Sequence, residues 1–520
     1  MQKLRIGVID LVAKGPTRTM FSRIMNGNLA SIMPQVTAVW CAQWGHEVTY
    51  LCYTGFENLA DELPPDVDLV FICSYSETAQ LAYALSNWFR ARGAVTVVGG
   101  PHARCYPQDA QRYFDYVAGF TDKNVVQDIL LDCAPHRPFG CRVGAKQHPL
   151  ELPSVEERWQ FIEPTLRKAP MFKIVPMVSS LGCPYDCSFC IDSVVPFQPM
   201  NVEVMKSDLR FLRTKFRRPR VGWHDPNFGV RFHELLDAIE DAVPPGSIDF
   251  ASESSLSLLS EGHLRRLKKN GFKVMLPGIE SWFECGEKSR AGNCGMEKVV
   301  QVAEHVNMIL RYIPYVQVNF VLGLDTDQGP EPFELTKRFV DLTPGAFPVY
   351  SLHSAYGEAT PLNLEYQRAA RVVPLPFHFL NNKEMNIQPN HYSWPNFYAH
   401  VVDLASHTFS PRAITRRIGG TSGAIPRFMN VVRALSSEGH GRIAYNKSVL
   451  DQFHSVPQFR QFFENGNTDL PRFYSDQVRQ DLGDMWQWLP PGAMHHDPNA
   501  YLQSMRTEVR AEPPYRGGGR

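Results

Sequence analysis

The chain has 520 residues, with 53 basic and 53 acidic side chains, 44% hydrophobic residues and 20% charged ones. Domains commonly contain ~100–200 residues, so this length predicts about three of them. A net charge of zero argues against nucleic acid as a partner, because nucleic-acid binders carry a basic excess. No apolar run approaches the ~18 residues of a membrane span, and the N-terminus lacks the features of a secretory signal. We therefore expect a cytoplasmic, enzyme-sized globular protein.

Residues 1–140 alternate short runs rich in Val and Ile with helix-like stretches. Such runs are typical of strands buried on both faces of a parallel sheet, joined by helical crossovers. The region predicts a Rossmann-like, doubly wound sheet of about five strands, which binds ligands at the carboxyl ends of its strands. Its predicted strands are 4–10, 47–52, 68–73, 94–100 and 115–120.

A Pro-rich linker is predicted at 141–171, after which the strand–helix alternation resumes over 172–360. Six such units are too few for a closed eight-stranded barrel and suit an open, partial (β/α)6 barrel. Residues 361–510 are predicted to be mainly helical, and 511–520 a disordered tail. The strands of the partial barrel are predicted at 173–179, 219–224, 247–252, 273–279, 315–322 and 347–353.

Three of the eleven cysteines, Cys183, Cys187 and Cys190, lie close together with the spacing C-x3-C-x2-C. The loop that carries them follows the first predicted barrel strand. Thiolates bind iron and zinc, and three on one short loop can converge on a single metal centre. A four-iron cube held by three thiolates keeps one iron free for a small molecule. The alternatives are a zinc site with a distant fourth ligand and a chance grouping.

This motif, with Phe189 before its last cysteine, resembles the signature of the radical S-adenosylmethionine enzymes. The resemblance implies a [4Fe–4S] cluster on Cys183, Cys187 and Cys190, whose open iron binds S-adenosylmethionine. Reductive cleavage of that molecule gives a 5′-deoxyadenosyl radical. The resemblance also implies an electron donor such as flavodoxin or ferredoxin, and a small-molecule substrate.

Three further segments resemble turns of the same family. The segment 224–228 resembles the acidic turn after the second strand, 278–281 the G-x-E-S turn after the fourth, and 319–326 the fifth strand with its turn. The resemblance implies contacts with S-adenosylmethionine from Phe189, Glu280 and Gly323. An ordinary core position is the alternative for Phe189, and a solvated or capping carboxylate is the alternative for Glu280.

A doubly wound domain before such a barrel resembles the cobalamin-binding subgroup of this family. Residues 97–103 match its G-G-P-H-A turn and contain His102, which we expect to be a surface or loop-bracing residue rather than a metal ligand. The subgroup's D-x-H-x-x-G motif is altered, because Val12 stands where the cobalt-ligating His would be. Cobalamin without a protein ligand below the cobalt, another residue facing the metal, and a domain without cobalamin all remain open. The resemblance implies cobalamin contacts from Asp10, Val12, Ser74, Ser76, Gly99 and Gly100.

The function that the resemblance implies is cobalamin-dependent methyl transfer to an unactivated carbon of a small molecule. Within the same family, a rearrangement or cyclisation, or a purely structural N-terminal domain, are alternatives. A metal-bound binding or regulatory protein without turnover is the alternative from another class. The sequence names neither the substrate nor a catalytic residue beyond the cofactor sites.

Overall fold

The computed structural model describes residues 3–17, 19–64, 66–135, 140–283 and 294–500. Within these ranges the chain forms two six-stranded sheets and one two-stranded sheet. The predicted tail 511–520 lies outside the described residues. The strands are β1 (Arg5–Leu11), β2 (Glu47–Tyr53), β3 (Leu69–Cys73), β4 (Val95–Gly99), β5 (Tyr116–Ala118), β6 (Cys141–Val143), β7 (Ile174–Met177), β8 (Ser180–Leu181), β9 (Gln198–Pro199), β10 (Arg220–Trp223), β11 (Asp249–Ser255), β12 (Phe272–Glu280), β13 (Tyr315–Leu322) and β14 (Phe347–Leu352).

Helices separate the strands and make up the C-terminal region. In chain order they are α1 (Met20–Met25), α2 (Ile32–Gln43), α3 (Leu59–Glu62), α4 (Ala79–Arg90), α5 (Pro101–Cys105), α6 (Pro107–Gln111), α7 (Lys123–Asp132), α8 (Val155–Lys168), α9 (Val202–Lys215), α10 (Phe232–Ala242), α11 (Glu261–Asn270), α12 (Met296–Tyr312), α13 (Glu331–Leu342), α14 (Pro361–Arg368), α15 (Trp394–Thr408), α16 (Pro411–Gly420), α17 (Ala424–Leu435), α18 (His440–Ser455), α19 (Pro457–Glu464) and α20 (Arg472–Leu482).

The N-terminal sheet is parallel, with the strand order β2-β1-β3-β4-β5-β6. Its register places Asp10 beside Cys73, and Cys73 beside Gly99, so the carboxyl ends of β1, β3 and β4 form one edge. The strand order reverses between β1 and β3, which is the switch point where doubly wound sheets bind ligands. The doubly wound sheet is therefore confirmed.

This sheet has six strands, one more than the sequence suggests. The extra strand, β6, pairs with β5 and lies in the segment that the sequence assigns to the Pro-rich linker. It has three residues with an intermediate–exposed–intermediate burial pattern. A strand this short carries no usable periodicity, which needs at least four residues or so.

The second sheet is also parallel, with the order β14-β13-β12-β11-β10-β7, so chain order is followed across the whole sheet. Helices α9 to α13 connect its strands, which is the predicted partial (β/α)6 barrel. Strand β13 has the bounds predicted for it, and the other five differ by one to three residues at their ends. The barrel strands β7 and β14 lie at the two ends of the described order.

The described C-terminal part, residues 361–500, contains helices α14 to α20 and one isolated bridge between Val372 and Ile387. It returns to the N-terminal domain, where the Gln80 amide donates to the Ala493 carbonyl at 3.2 Å. One hydrophobic cluster contains Ile9 of β1, Phe320 of β13 and Phe453 of α18, so the three regions share a core. No helix in the described ranges is long and apolar enough to cross a membrane.

Candidate functional site

The three cysteines of the motif lie on a loop whose base is closed by a short ladder. Strands β8 and β9 pair antiparallel on the two sides of this loop, 182–197, which we call the cysteine loop. Gly182 has φ +68°, and a Cβ there would lie 2.3 Å from the Pro196 carbonyl oxygen. Only glycine fits such a position without displacing backbone. The glycine that precedes the first cysteine of the motif therefore allows the loop to close.

Asp225 holds the start of the cysteine loop. Its carboxylate accepts hydrogen bonds from the Ser179 hydroxyl at 2.5 Å, the Ser180 hydroxyl at 2.8 Å and the Ser179 amide at 3.0 Å. The side chain is buried, and desolvation raises its pKa, against which these hydrogen bonds act. Asp225 follows β10, so the second barrel strand positions the loop that follows the first.

The far side of the cysteine loop contacts three other parts of the molecule. The Leu362 amide at the start of α14 donates to the Ser188 carbonyl at 3.1 Å. The hydroxyls of Tyr185 and Ser257 lie 3.4 Å apart, next to the end of β11. Arg104 of the N-terminal domain donates to the Ile191 carbonyl at 3.0 Å. The loop is therefore held by the barrel, the C-terminal region and the N-terminal domain together.

The donor set fits an iron–sulfur cluster in its chemistry. Cys183 is buried, Cys187 and Cys190 are half-buried, and none of the three forms a disulfide. In the part of the chain that the structure describes, no three His, Cys, Asp or Glu side chains are gathered closely enough to hold a metal ion. The three cysteines lie on one loop, but their side chains do not form a complete metal-binding site in the described residues. Their assignment as cluster ligands therefore stays a prediction.

The residues predicted to contact S-adenosylmethionine lie at three places around the barrel mouth. Phe189 is half-buried on the cysteine loop, and Glu280 ends β12 with φ +64°. The Glu280 carboxylate folds back over Gly278, since a Cβ on that glycine would lie 2.2 Å from its Oε1. Gly323 follows β13, and its amide donates to Asp327 at 2.9 Å. Their contacts with S-adenosylmethionine remain predictions.

A second candidate site is a cavity of about 250 Å³ at the carboxyl edge of the N-terminal sheet. Gly99 and Gly100 line it, as do Val178 and Leu181 from the barrel side. A Cβ on Gly99 would meet no atom within 4 Å, so the chain presents bare backbone to the cavity there. Ligand pockets for drug-sized molecules measure about 300–1,000 Å³, so this cavity suits one part of a cofactor as large as cobalamin. We call it the cofactor cavity.

Two histidines line the cofactor cavity from outside the N-terminal strands. His148 comes from the segment after β6, and His224 directly precedes Asp225. Burial lowers the pKa of each imidazole to about 4, so both rings are neutral near pH 7. The Nδ1 atom of His148 is buried and has no hydrogen-bond partner among the described residues. The cavity therefore joins apolar walls to two neutral imidazole rings.

The other predicted cobalamin residues do not line the cavity. The Asp10 carboxylate accepts from the Ser31 amide at 2.6 Å, and burial raises its pKa to about 6. Ser74 is buried and bonds Thr78 at 2.9 Å. Val12 and Ser76 are likewise absent from the residues that line the cavity. Their contacts with cobalamin stay predictions.

His102 braces the turn and is not a surface residue, so only the loop-bracing interpretation agrees with the structure. It is fully buried, and its Nε2 lies 2.6 Å from the Tyr83 hydroxyl, which in turn donates to Asp109 at 2.6 Å. Sequence reasoning missed Asp225 as the anchor of the cysteine loop and Arg104 as its contact with the N-terminal domain. The serine pair 179–180 before the motif was a usable signal for the first. Nothing local signals the second, since Arg104 and Ile191 are 87 residues apart.

Known proteins resemble this chain over most of its length. No protein-family model matches the sequence. Bacteriochlorophyllide d C-12(1)-methyltransferase of Chlorobaculum tepidum is 20% identical over 373 residues, which are 70% of this chain and 80% of that protein.

Two solved structures resemble the fold. The radical S-adenosylmethionine methyltransferase TsrM from Kitasatospora setae, solved with tryptophan and a S-adenosylmethionine analogue, has a TM-score of 0.55 at 12% identity, covering 92% of this chain and 99% of TsrM. The cobalamin-dependent S-adenosylmethionine radical enzyme OxsB, solved with aqua-cobalamin, has a TM-score of 0.54 at 10% identity, covering 98% of this chain and 81% of OxsB.

The chain therefore has the fold of the cobalamin-dependent radical S-adenosylmethionine enzymes. The correspondence covers the doubly wound domain, the partial barrel and the helical C-terminal region together. This confirms the fold class that the sequence predicts.

Proposed function

We propose that the protein is a cobalamin-dependent radical S-adenosylmethionine methyltransferase acting on an unactivated carbon of a small molecule. The observation that carries the proposal is the shared wall of its two sites. Leu181 lines the cofactor cavity and lies in β8, two residues before Cys183. A methyl carrier in the cavity and a radical generator on the loop would adjoin, which methyl transfer to a carbon radical requires.

Each cofactor has a set of residues that would hold it. Cys183, Cys187 and Cys190 would ligate a [4Fe–4S] cluster, and Gly99 and Gly100 would let the cobalamin approach the sheet edge. When bound, the two groups supply a substrate radical and the methyl group that it receives. TsrM and the relative from Chlorobaculum tepidum are both methyltransferases.

The protein's own residues orient these groups and exclude water. Asp225 pins the loop that carries the thiols, and the ladder β8–β9 closes it. Met385 and Phe397 cover Gly323, since a Cβ there would lie 3.0 Å from both side chains. The C-terminal region therefore closes over the end of β13, where a dry site protects a reactive radical from side reactions.

The first test is reconstitution under anaerobic conditions with iron, sulfide and hydroxocobalamin. We expect retained corrinoid absorbance after desalting, and 5′-deoxyadenosine after addition of dithionite and S-adenosylmethionine. Cys187→Ala should abolish the iron–sulfur absorbance near about 400 nm. The control Cys133→Ala changes a free, half-buried cysteine outside the loop and should retain it.

The outcomes separate the proposed function from its alternatives. Loss of the corrinoid on desalting would favour a radical enzyme whose N-terminal domain is structural. Absence of 5′-deoxyadenosine would favour a binding or regulatory protein. We also propose an electron donor such as flavodoxin or ferredoxin, and a cytoplasmic location.

A further inference from the structure

Arg104 lies between the two candidate cofactor sites. It lines the cofactor cavity, and its guanidinium carbon is 4.6 Å from the centre of the Phe120 ring, within cation–π range. Its Nη2 atom donates to the Ile191 carbonyl of the cysteine loop at 3.0 Å. One side chain therefore faces the cavity and bonds the loop at the same time.

The backbone that carries Arg104 is held in place. Helix α5 follows Gly100, which adopts a left-handed backbone conformation with φ +90°. The Tyr106 hydroxyl donates to the Ala355 carbonyl after β14 at 2.9 Å. A Cβ on Gly357 would lie 1.8 Å from the Cys105 carbonyl oxygen, so the two turns are packed backbone to backbone. Arg104 therefore projects from a rigid base, and its side chain is the part free to adjust.

The bond to Ile191 acts on Cys190 through a single peptide plane. The carbonyl of Ile191 and the amide of Asp192 belong to one peptide unit, which is planar and trans. That amide donates to the Sγ atom of Cys190 at 3.4 Å. The two bonds therefore involve one peptide unit: Arg104 donates to its carbonyl oxygen, and its N–H donates to the sulfur of Cys190, a predicted cluster ligand. A charge-assisted bond to the carbonyl both orients the plane and polarises its N–H.

Hydrogen bonds to cluster sulfurs are one of the means by which a protein sets the reduction potential of an iron–sulfur cluster. An N–H donor stabilises the more negative, reduced form, so a stronger bond raises the potential. Arg104 lines the cofactor cavity, so a ligand that fills the cavity would lie against this side chain and would change how well its guanidinium bonds Ile191. Occupancy of the cavity would thereby alter the reduction potential of the cluster.

We propose that Arg104 is a positioning residue that couples the cofactor cavity to the cluster through the Ile191–Asp192 peptide. The inference rests on the proposed function for the identity of the two cofactors. It goes beyond that function because it makes reduction of the cluster, and with it radical formation, respond to whether cobalamin is bound.

The test is a potentiometric titration of the reconstituted full-length protein, followed by electron paramagnetic resonance, with and without hydroxocobalamin. For the wild type we expect a cluster potential that shifts on cobalamin binding. Arg104→Met keeps a long unbranched side chain but has no hydrogen-bond donor, so its potential should be more negative and insensitive to cobalamin. Arg104→Lys retains a cationic donor and should recover part of both properties. The control Arg167→Met removes an exposed arginine of α8 and should behave as wild type.

A wild-type potential in Arg104→Met, or a cobalamin-induced shift that survives in it, would overturn the coupling. If that variant holds no cluster, Arg104→Gln is judged by the same two criteria. A wild type that binds both cofactors but shows no shift refutes the inference and leaves the proposed function standing. A wild type that binds no cluster or no cobalamin refutes both.

Discussion

Asp225→Ala should release the start of the cysteine loop. The substitution removes a carboxylate that accepts three hydrogen bonds of 2.5 to 3.0 Å, and it leaves the buried amide of Ser179 without that acceptor. Hydrogen bonds to charged groups contribute about 1.5–3 kcal/mol each. Burial of the carboxylate offsets part of this, as its raised pKa indicates. We therefore expect a net loss of about 3 kcal/mol in the free energy of unfolding.

Two measurements on Asp225→Ala check this reasoning. Denaturant unfolding of the protein before reconstitution gives the stability loss, and iron and sulfide content after reconstitution reports on the loop. We expect less than half of the wild-type iron, and an intermediate value for Asp225→Asn. The control Asp122→Ala removes a helix cap that accepts one bond from Val125 at 2.9 Å. It should cost about 1 kcal/mol without loss of iron. A stability loss below that of the control, with full iron content, would refute the anchoring role of Asp225.

Three further predictions follow from buried or tightly packed positions. Gly182→Ala should lower the free energy of unfolding by about 3 kcal/mol and reduce iron content, because its Cβ would lie 2.3 Å from a carbonyl oxygen. The control Gly93→Ala, at φ +89° in open space, should lower it by about 1 kcal/mol and keep the iron, and equal stability losses in the two variants would contradict the packing argument. Gly100→Ala should weaken hydroxocobalamin binding about tenfold in an absorbance titration, because the added Cβ would lie 2.9 Å from the Cys73 sulfur. Unchanged affinity would show that this turn is not part of the cobalamin site. Burial raises the pKa of Glu384 from 4.5 to about 7, so between these pH values the folded state keeps a proton that the unfolded state loses, and the free energy of unfolding falls by about 3 kcal/mol as pH rises. Glu384→Gln should lack this decrease when unfolding is measured from pH 4.5 to 7, and a pH profile identical to that of the wild type would refute the prediction.

Glu384 also shows how the C-terminal region is organised around a buried acid. Its carboxyl group accepts from the hydroxyls of Tyr398 of α15, at 2.5 Å, and Tyr445 of α18. The Ser354 hydroxyl after β14 donates to its backbone carbonyl at 3.0 Å. The acid therefore ties two helices to the end of the last barrel strand, close to Met385, which covers Gly323.

The sequence by itself determined the two sheets and the cysteine motif. Runs of apolar residues separated by amphipathic stretches predict parallel strands and crossovers, because burial on both faces leaves a local compositional record. The bounds predicted for β13 are those observed. The spacing of Cys183, Cys187 and Cys190 is equally local, and it pointed to one loop. The short strand β6 was not predicted, because three residues are too few to show an alternation of apolar and polar side chains.

Only the tertiary structure decided which distant residues serve the site. Asp225 meets Ser180 from 45 residues away, and Arg104 meets Ile191 from 87 residues away. Val12, which occupies the place of a cobalt ligand in the sequence motif, does not line the cofactor cavity, whereas His224 of the barrel does. Periodicity and spacing record the neighbours of a residue along the chain. Its partners across a domain interface depend on how the sheets pack, and that information is distributed over the whole core.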